Sequence, residues 1–156
     1  MKQIHWMICS ILLFSTPAVG AAQFTDLLSV LNVDASLPAM VQSLENPDYD
    51  PVSDNRFILL DGTTASITII DPETEYFEAI VEVATGQWTA SEEIQLFRAY
   101  ILLAGPDFSH LFTSGADEIT VGSQLIGIVK PMGTIADPAD GSEVLFFEAY
   151  YVRTMP

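Results

Sequence analysis

Residues 89–104 read TASEEIQLFRAYILLA, and whether they form a helix or a strand decides the fold of this chain. Thr89 and Glu92 have the spacing of a helix-capping pair, and Gly105-Pro106 would end a helix well. The side-chain pattern points the other way. Phe97, Ala99, Ile101 and Leu103 alternate onto one face, with Tyr100 and Leu102 on the other. That alternation, with the aromatic and isoleucine content, predicts a central strand buried on both sides. A strand here makes the domain mainly β, whereas a helix would make it α+β.

The neighbouring segments also read as β. Residues 57–60, Asp61-Gly62 and residues 65–70 form a strand, turn, strand pattern, because Asp-Gly between apolar runs is a strong hairpin cue. Phe77, Ala79, Val81 and Val83 alternate with Glu78, Ile80 and Glu82, which predicts a strand with one wet face. GPDFSHLF, residues 105–112, reads as a turn and a short helical turn from Pro106. Residues 119–130 form a strand in which Gly122 and Gly127 predict a bend or bulge, and residues 131–142 form a loop. Residues 144–153 form the last strand, with Leu145, Phe147, Ala149 and Tyr151 sharing a face. The last two strands should pair antiparallel.

Five or six strands with one helical turn in the middle predict a small antiparallel barrel, with a β-sandwich as the alternative. The order strand, strand, strand, helical turn, hairpin resembles the five-stranded oligonucleotide/oligosaccharide-binding (OB) barrel. The resemblance is one of pattern, and no motif carries it.

Ahead of the barrel, Phe24, Leu27, Leu28 and Leu31 make one apolar helical stripe, and Leu37, Met40, Val41 and Leu44 make a second. Ser36 can cap the second helix, with Pro38 in its first turn. NPDYDPVSDN, residues 46–55, reads as an acidic linker. At the start of the chain, Lys2, the mostly apolar residues 6–14, Pro17 and the small residues Ala18, Gly20, Ala21 and Ala22 are the parts of a secretory signal. The expected organisation is a signal at 1–22, an amphipathic helical arm at 23–45, the linker, and the barrel at 56–156. Cleavage would remove Cys9, the one cysteine, and with it any disulfide or thiolate chemistry. The expected location is secreted or periplasmic, with no membrane insertion after cleavage.

The chain of 156 residues carries Lys+Arg 5 against Asp+Glu 21, a net charge of -16. On that balance nucleic acid is excluded as a partner, since phosphates need cations to displace their counterions. Protein or a neutral glycan is expected instead. His110 is the one histidine outside the signal, too few for zinc, and is expected to close a loop. Ser114-Gly115 lacks the preceding glycine of a nucleophile elbow. Asp48, Asp50 and Asp54 form the candidate metal site, for calcium, because hard oxygens on a loop suit that ion. Asp137, Asp140 and Glu143 form a second acidic loop. Glu78 and Glu82 read as a solvated face, and Glu148 either points to solvent with Phe146 and Tyr150 or pairs with Arg98 within the barrel. Trp88 and Tyr150 are the candidate ligand-binding aromatics. No cofactor is expected apart from calcium. The resulting expectation is an exported, acidic, non-enzymatic binding or assembly module. The alternatives are a carboxylate-based glycan hydrolase and an acidic inhibitor or chaperone of a basic protein.

Overall fold

The computed structural model describes residues 29–113 and 115–156. The signal segment and Phe24, Leu27 and Leu28 of the first stripe lie outside these residues. Among the described residues six strands run in chain order: β1 (Leu31–Asn32), β2 (Phe57–Asp71), β3 (Glu78–Trp88), β4 (Ile94–Ala104), β5 (Gln124–Ala136) and β6 (Glu143–Met155). Two short helices accompany them, α1 (Leu37–Ser43) and α2 (Pro106–Ser109), the latter followed by a 3-10 turn at His110–Phe112. The sheet order is β1-β2-β3-β4-β6-β5, and pairing of β2 with β5 closes β2 to β6 into a barrel. Neighbours in the barrel are antiparallel except β4 and β6, which run parallel. The result is a closed, mixed, OB-like five-stranded barrel with one added strand.

Residues 94–104 are strand. β4 has β3 on one flank and β6 on the other, so its backbone groups find partners on both sides. Its inward residues Phe97, Ala99, Ile101 and Leu103 are buried. They meet Val81, Val83, Val129, Leu145 and Phe147 in one core. The outward face is only half covered, so β4 is not dry on both sides as its composition suggested. Thr89 caps no helix. Its backbone N–H donates to the Glu93 carbonyl and its own carbonyl accepts from Glu92, closing the β3–β4 turn.

The expected hairpin at Asp61-Gly62 does not form. β2 runs unbroken, pairing with β5 from Ile58 to Thr63 and with β3 from Thr63 to Asp71. Gly62 sits where the strand passes from one partner to the other. A Cβ there would lie 3.2 Å from the Ala84 carbonyl oxygen and 3.2 Å from Thr85 Oγ1, so the glycine serves a close backbone approach rather than a turn. β5 also differs from expectation. It starts at Gln124 and continues through Pro131 to Ala136, with Met132 taken up by a register shift between Pro131 and Gly133, so that only residues 137–142 of the segment read as loop are loop.

α1 follows its sequence signals. Ser36 Oγ accepts from the Ala39 N–H at 3.4 Å, and Leu37 and Met40 enter the core. Burial of two such side chains contributes about 1.5–3 kcal/mol each before entropy is counted. Leu31, assigned to a helical stripe, instead lies in β1, parallel to Phe57 and Ile58. At β4's end, Phe108 and Leu111 are buried, and the Phe77 and Phe112 rings meet at 5.1 Å.

Candidate functional site

One irregularity in β6 builds the most distinctive surface. In a regular strand adjacent side chains point to opposite faces. Here Ile128 pairs with Tyr151 while the next residue, Val129, pairs with Ala149, so Tyr150 is an extra residue. This β-bulge turns both Tyr150 and Tyr151 outward, at 54% and 52% exposure. Val152 then resumes the inward direction and is buried. Tyr151 therefore does not share the face of Leu145, Phe147 and Ala149, as strict alternation predicted. No residue type marks the bulge in the sequence; its signal is the pair of adjacent tyrosines followed by valine, which breaks the period of two.

The register across β2, β5 and β6 continues this face. Leu59, Ile128 and Tyr151 form one outward row, and Asp61, Ile126 and Arg153 form the next. Phe57 holds Tyr150 edge-to-face, with centroids 4.6 Å apart. Glu148, followed by slight desolvation, raises the Tyr150 phenol pKa. Three depressions meet at Arg153. A cleft of about 440 Å³ lies between β6 and the helical turn, lined by Asp107, Phe108, His110, Leu111, Asp117, Tyr150, Tyr151, Val152 and Arg153. A second, of about 540 Å³, runs beside Asp117, Glu118, Ser123 and Thr154. An apolar groove of about 250 Å³ holds Leu59, Ile126, Ile128, Tyr151 and Met155.

The positive charges divide sharply. Arg56 is paired with Asp54 and Arg98 with three carboxylates. Among the described residues, Lys130 and Arg153 have no ion pair. Both belong to the β2–β5–β6 outer face, where Lys130 aligns with Glu148 across the strands.

The outer face of β3 and β4 is different in kind. Arg98 lies 2.7 Å from Asp137, 3.4 Å from Glu82 and 3.7 Å from Asp140. The Asp137 contact is an ion pair without hydrogen-bond alignment, and the Asp137 side chain is 1% exposed. Asp137 Oδ1 also accepts from the Tyr100 hydroxyl at 3.4 Å and the Ala139 N–H at 2.8 Å. Burial works against the Arg98 charge, but Asp137 and Glu82 outweigh it and raise the guanidinium pKa. Burial, Glu82 and Asp137 push the Tyr100 phenol up. OB barrels present ligands to this pair of strands and to its flanking loops. In this chain that surface is acidic and its one cation is already neutralised.

The predicted site residues are dispersed. Both Asp54 oxygens are engaged, Oδ1 by Arg56 Nε at 2.6 Å and Oδ2 by Arg56 Nη2 at 2.7 Å and Asn32 at 2.9 Å. The Arg56 hydrogen bond, opposed by slight desolvation, lowers the Asp54 pKa. Asp50 caps the Val52 N–H, and Asp48 follows an Asn46-capped turn. Among the described residues no three His, Cys, Asp or Glu side chains converge as a metal site. Asp137 and Asp140 of the second acidic loop instead pair with Arg98, which takes the place of a bound cation; Glu148 is not its partner. Glu82 accepts from Ser66 Oγ at 2.8 Å besides Arg98, so it is less solvated than expected. Trp88 and Tyr150 are both exposed but form no common platform. Trp88 faces Ile94 at the β3–β4 tip, whereas Tyr150 lies past Glu148, which pairs with Leu102 near the far end of β4. His110 closes its loop through its carbonyl, which accepts from Thr113 N and Oγ1, while its side chain lines the 440 Å³ cleft. Ser114 lies outside the described residues.

No protein-family model and no curated protein matches the chain. Among solved structures it is similar to the small single-stranded DNA-binding protein from Streptomyces coelicolor, at 11% identity and a TM-score of 0.43, over 65% of this chain and 93% of that one. The expectation of a non-enzymatic binding or assembly module, with its hydrolase and inhibitor alternatives, rests on excluding nucleic acid, and the distribution of charge corrects that step. The partner expectation of protein or neutral glycan to the exclusion of nucleic acid is corrected on the same ground. The physical reason lies in what net charge measures. A charge of -16 sums the whole surface, whereas a phosphate meets a local potential, and two un-neutralised cations share one face.

Proposed function

We propose that the β2–β5–β6 outer face binds a short single strand of nucleic acid, with stacking rather than charge supplying most of the affinity. One observation carries this reading: the exposed Tyr150–Tyr151 pair shares its face with Lys130 and Arg153, the cations left without ion pairs among the described residues. Aromatic platforms flanked by cations suit single strands because every base offers a ring face.

The geometry limits both footprint and strength. Arg153 sits opposite Ile126, four residues along β5 from Lys130. That is about 13 Å at strand spacing, room for about four stacked nucleotides. Two stacked bases contribute about 1–3 kcal/mol each, which places Kd no tighter than about 40 μM. Two phosphate contacts give a salt slope near about -1.4, a loss of about sevenfold between 50 and 200 mM salt.

The test is an NMR titration of the protein with deoxytetranucleotides, following the tyrosine ring signals. Saturable shifts at Tyr150 and Tyr151, shallow in salt, are expected, and the accompanying shifts at the Lys130 and Arg153 backbone amides should be lost in the Tyr150→Ala/Tyr151→Ala variant. Absence of shifts at millimolar oligonucleotide, or a steep salt slope, refutes the proposal. Separately, the composition of residues 1–22 supports a secreted or periplasmic location, tested by intact mass for a start at Ala21 or Gln23.

A further inference from the structure

We propose that the tip of the β3–β4 hairpin docks into the apolar groove of a second copy of this chain. The hairpin outruns the barrel. Gln87 and Gln95 pair across it in step with the inward residues, yet both are exposed, so no core lies beneath them. On the outward face Trp88 pairs with Ile94, and Gly86 with Leu96. Trp88, Ile94 and Leu96 are 71%, 56% and 67% exposed, and the glycine among them adds no side chain. A two-stranded ribbon with nothing packed on either face is marginal in water, and an apolar cluster on such a ribbon marks a contact surface.

The groove of about 250 Å³ offers the matching cover. Leu59, Ile126, Ile128, Tyr151 and Met155 line it, and Arg153 is its one charged lining residue. The charges around the two surfaces are complementary. Glu92 and Glu93 form the turn next to Trp88 and Ile94, and neither they nor Arg153 have an ion pair among the described residues. Asp61 and Glu148 balance Arg153 and Lys130, so the groove face is neutral in a chain whose net charge is -16. A tip with two carboxylates is repelled by most of the surface of another copy and least by this face. Tyr151 and Arg153 also belong to the proposed single-strand face, so a docked tip and a bound strand exclude each other.

The test is sedimentation velocity of the full chain without nucleic acid. The mass is expected to rise above that of the monomer as protein approaches millimolar concentration. Trp88→Ala, Arg153→Glu and Glu92→Arg/Glu93→Arg should each weaken association by about tenfold or more, the first through lost apolar contact and the others by setting like charges against each other. All four positions are exposed, so the core is untouched. The deciding arm mixes Arg153→Glu with Glu92→Arg/Glu93→Arg. The unaltered tip of the first variant then meets the unaltered groove of the second, and the two reversed surfaces also match. Association should return, which verifies in addition that both variants are folded. A chain that stays monomeric at millimolar concentration overturns the proposal. Association that survives any of the three variants, or that mixing fails to restore, overturns it as well. Each of these outcomes leaves the single-strand proposal standing, because no nucleic acid takes part.

Discussion

Deleting Tyr150 tests the bulge that makes the site. A one-residue deletion within a strand normally turns every later side chain to the wrong face. Here the outcome differs because Tyr150 is the unpaired extra residue. Without it, Ala149 still faces Val129, Tyr151 still faces Ile128, and Val152 still points inward opposite Gly127. The side-chain loss is the edge-to-face contact with Phe57, worth about 0.5–1.5 kcal/mol. For a chain of this size the melting temperature should fall by only about 2–6 °C. Deleting Glu148 is the control. The shortened strand would bring Ala149 outward and drive Tyr150 into the buried position of Ala149. Overpacking costs about 1–3 kcal/mol, and an unpartnered hydroxyl about 1–3 kcal/mol more. Thermal unfolding followed by circular dichroism compares the two. If both deletions destabilise equally, the bulge does not have the role assigned to it.

Asp137→Ala removes the buried partner of Arg98, a residue itself about a third exposed and still within reach of Glu82 and Asp140. Urea unfolding should show a loss of about 1–3 kcal/mol, below the figure for a fully buried pair. Leu37→Ala empties a core position at 2% exposure, and the same measurement should show a loss of about 2–5 kcal/mol. Acid should also weaken the fold. The pKa values of Asp54 and Asp140 are lowered, chiefly by hydrogen bonds from Arg56 and Ser142. Their contribution is therefore complete above the ordinary aspartate value of 3.8 and lost as pH falls through the lower native values, and the Asp54 share should vanish in Asp54→Asn. At the alkaline end, Tyr100 is held above the ordinary phenol value, first by burial and then by Glu82. Tyr49 and Tyr150 are held up as well, so an absorbance titration should show a late phenolate phase whose amplitude shrinks by one phenol in Tyr100→Phe, with the Tyr100 share of stability falling as pH rises through its native value.

The sequence by itself determined the elements whose local and global preferences agree. The alternation of Phe97, Ala99, Ile101 and Leu103 was enough to place a strand, because an inward face repeats every second residue whatever the partner strand is. Ser36, Pro38 and the helical stripe marked α1, and Gly105-Pro106 marked the helical turn, because caps and φ restrictions act within a few residues. The strand order carried the barrel for the same reason. Pairing between distant segments was decided only by the tertiary structure. Asp61-Gly62 has the chemistry of a turn, yet β3 and β5 both claim β2, so the chain runs straight through. Arg98 and Glu148 both interrupt apolar runs, but the partners of Arg98 come from β3 and the β5–β6 loop. The paired tyrosines became a surface because β6 needs one residue more than β5 at Ile128 and Val129. The Tyr150-Tyr151-Val152 step breaks the alternation within β6, but which residue is extra is set by the two strands together.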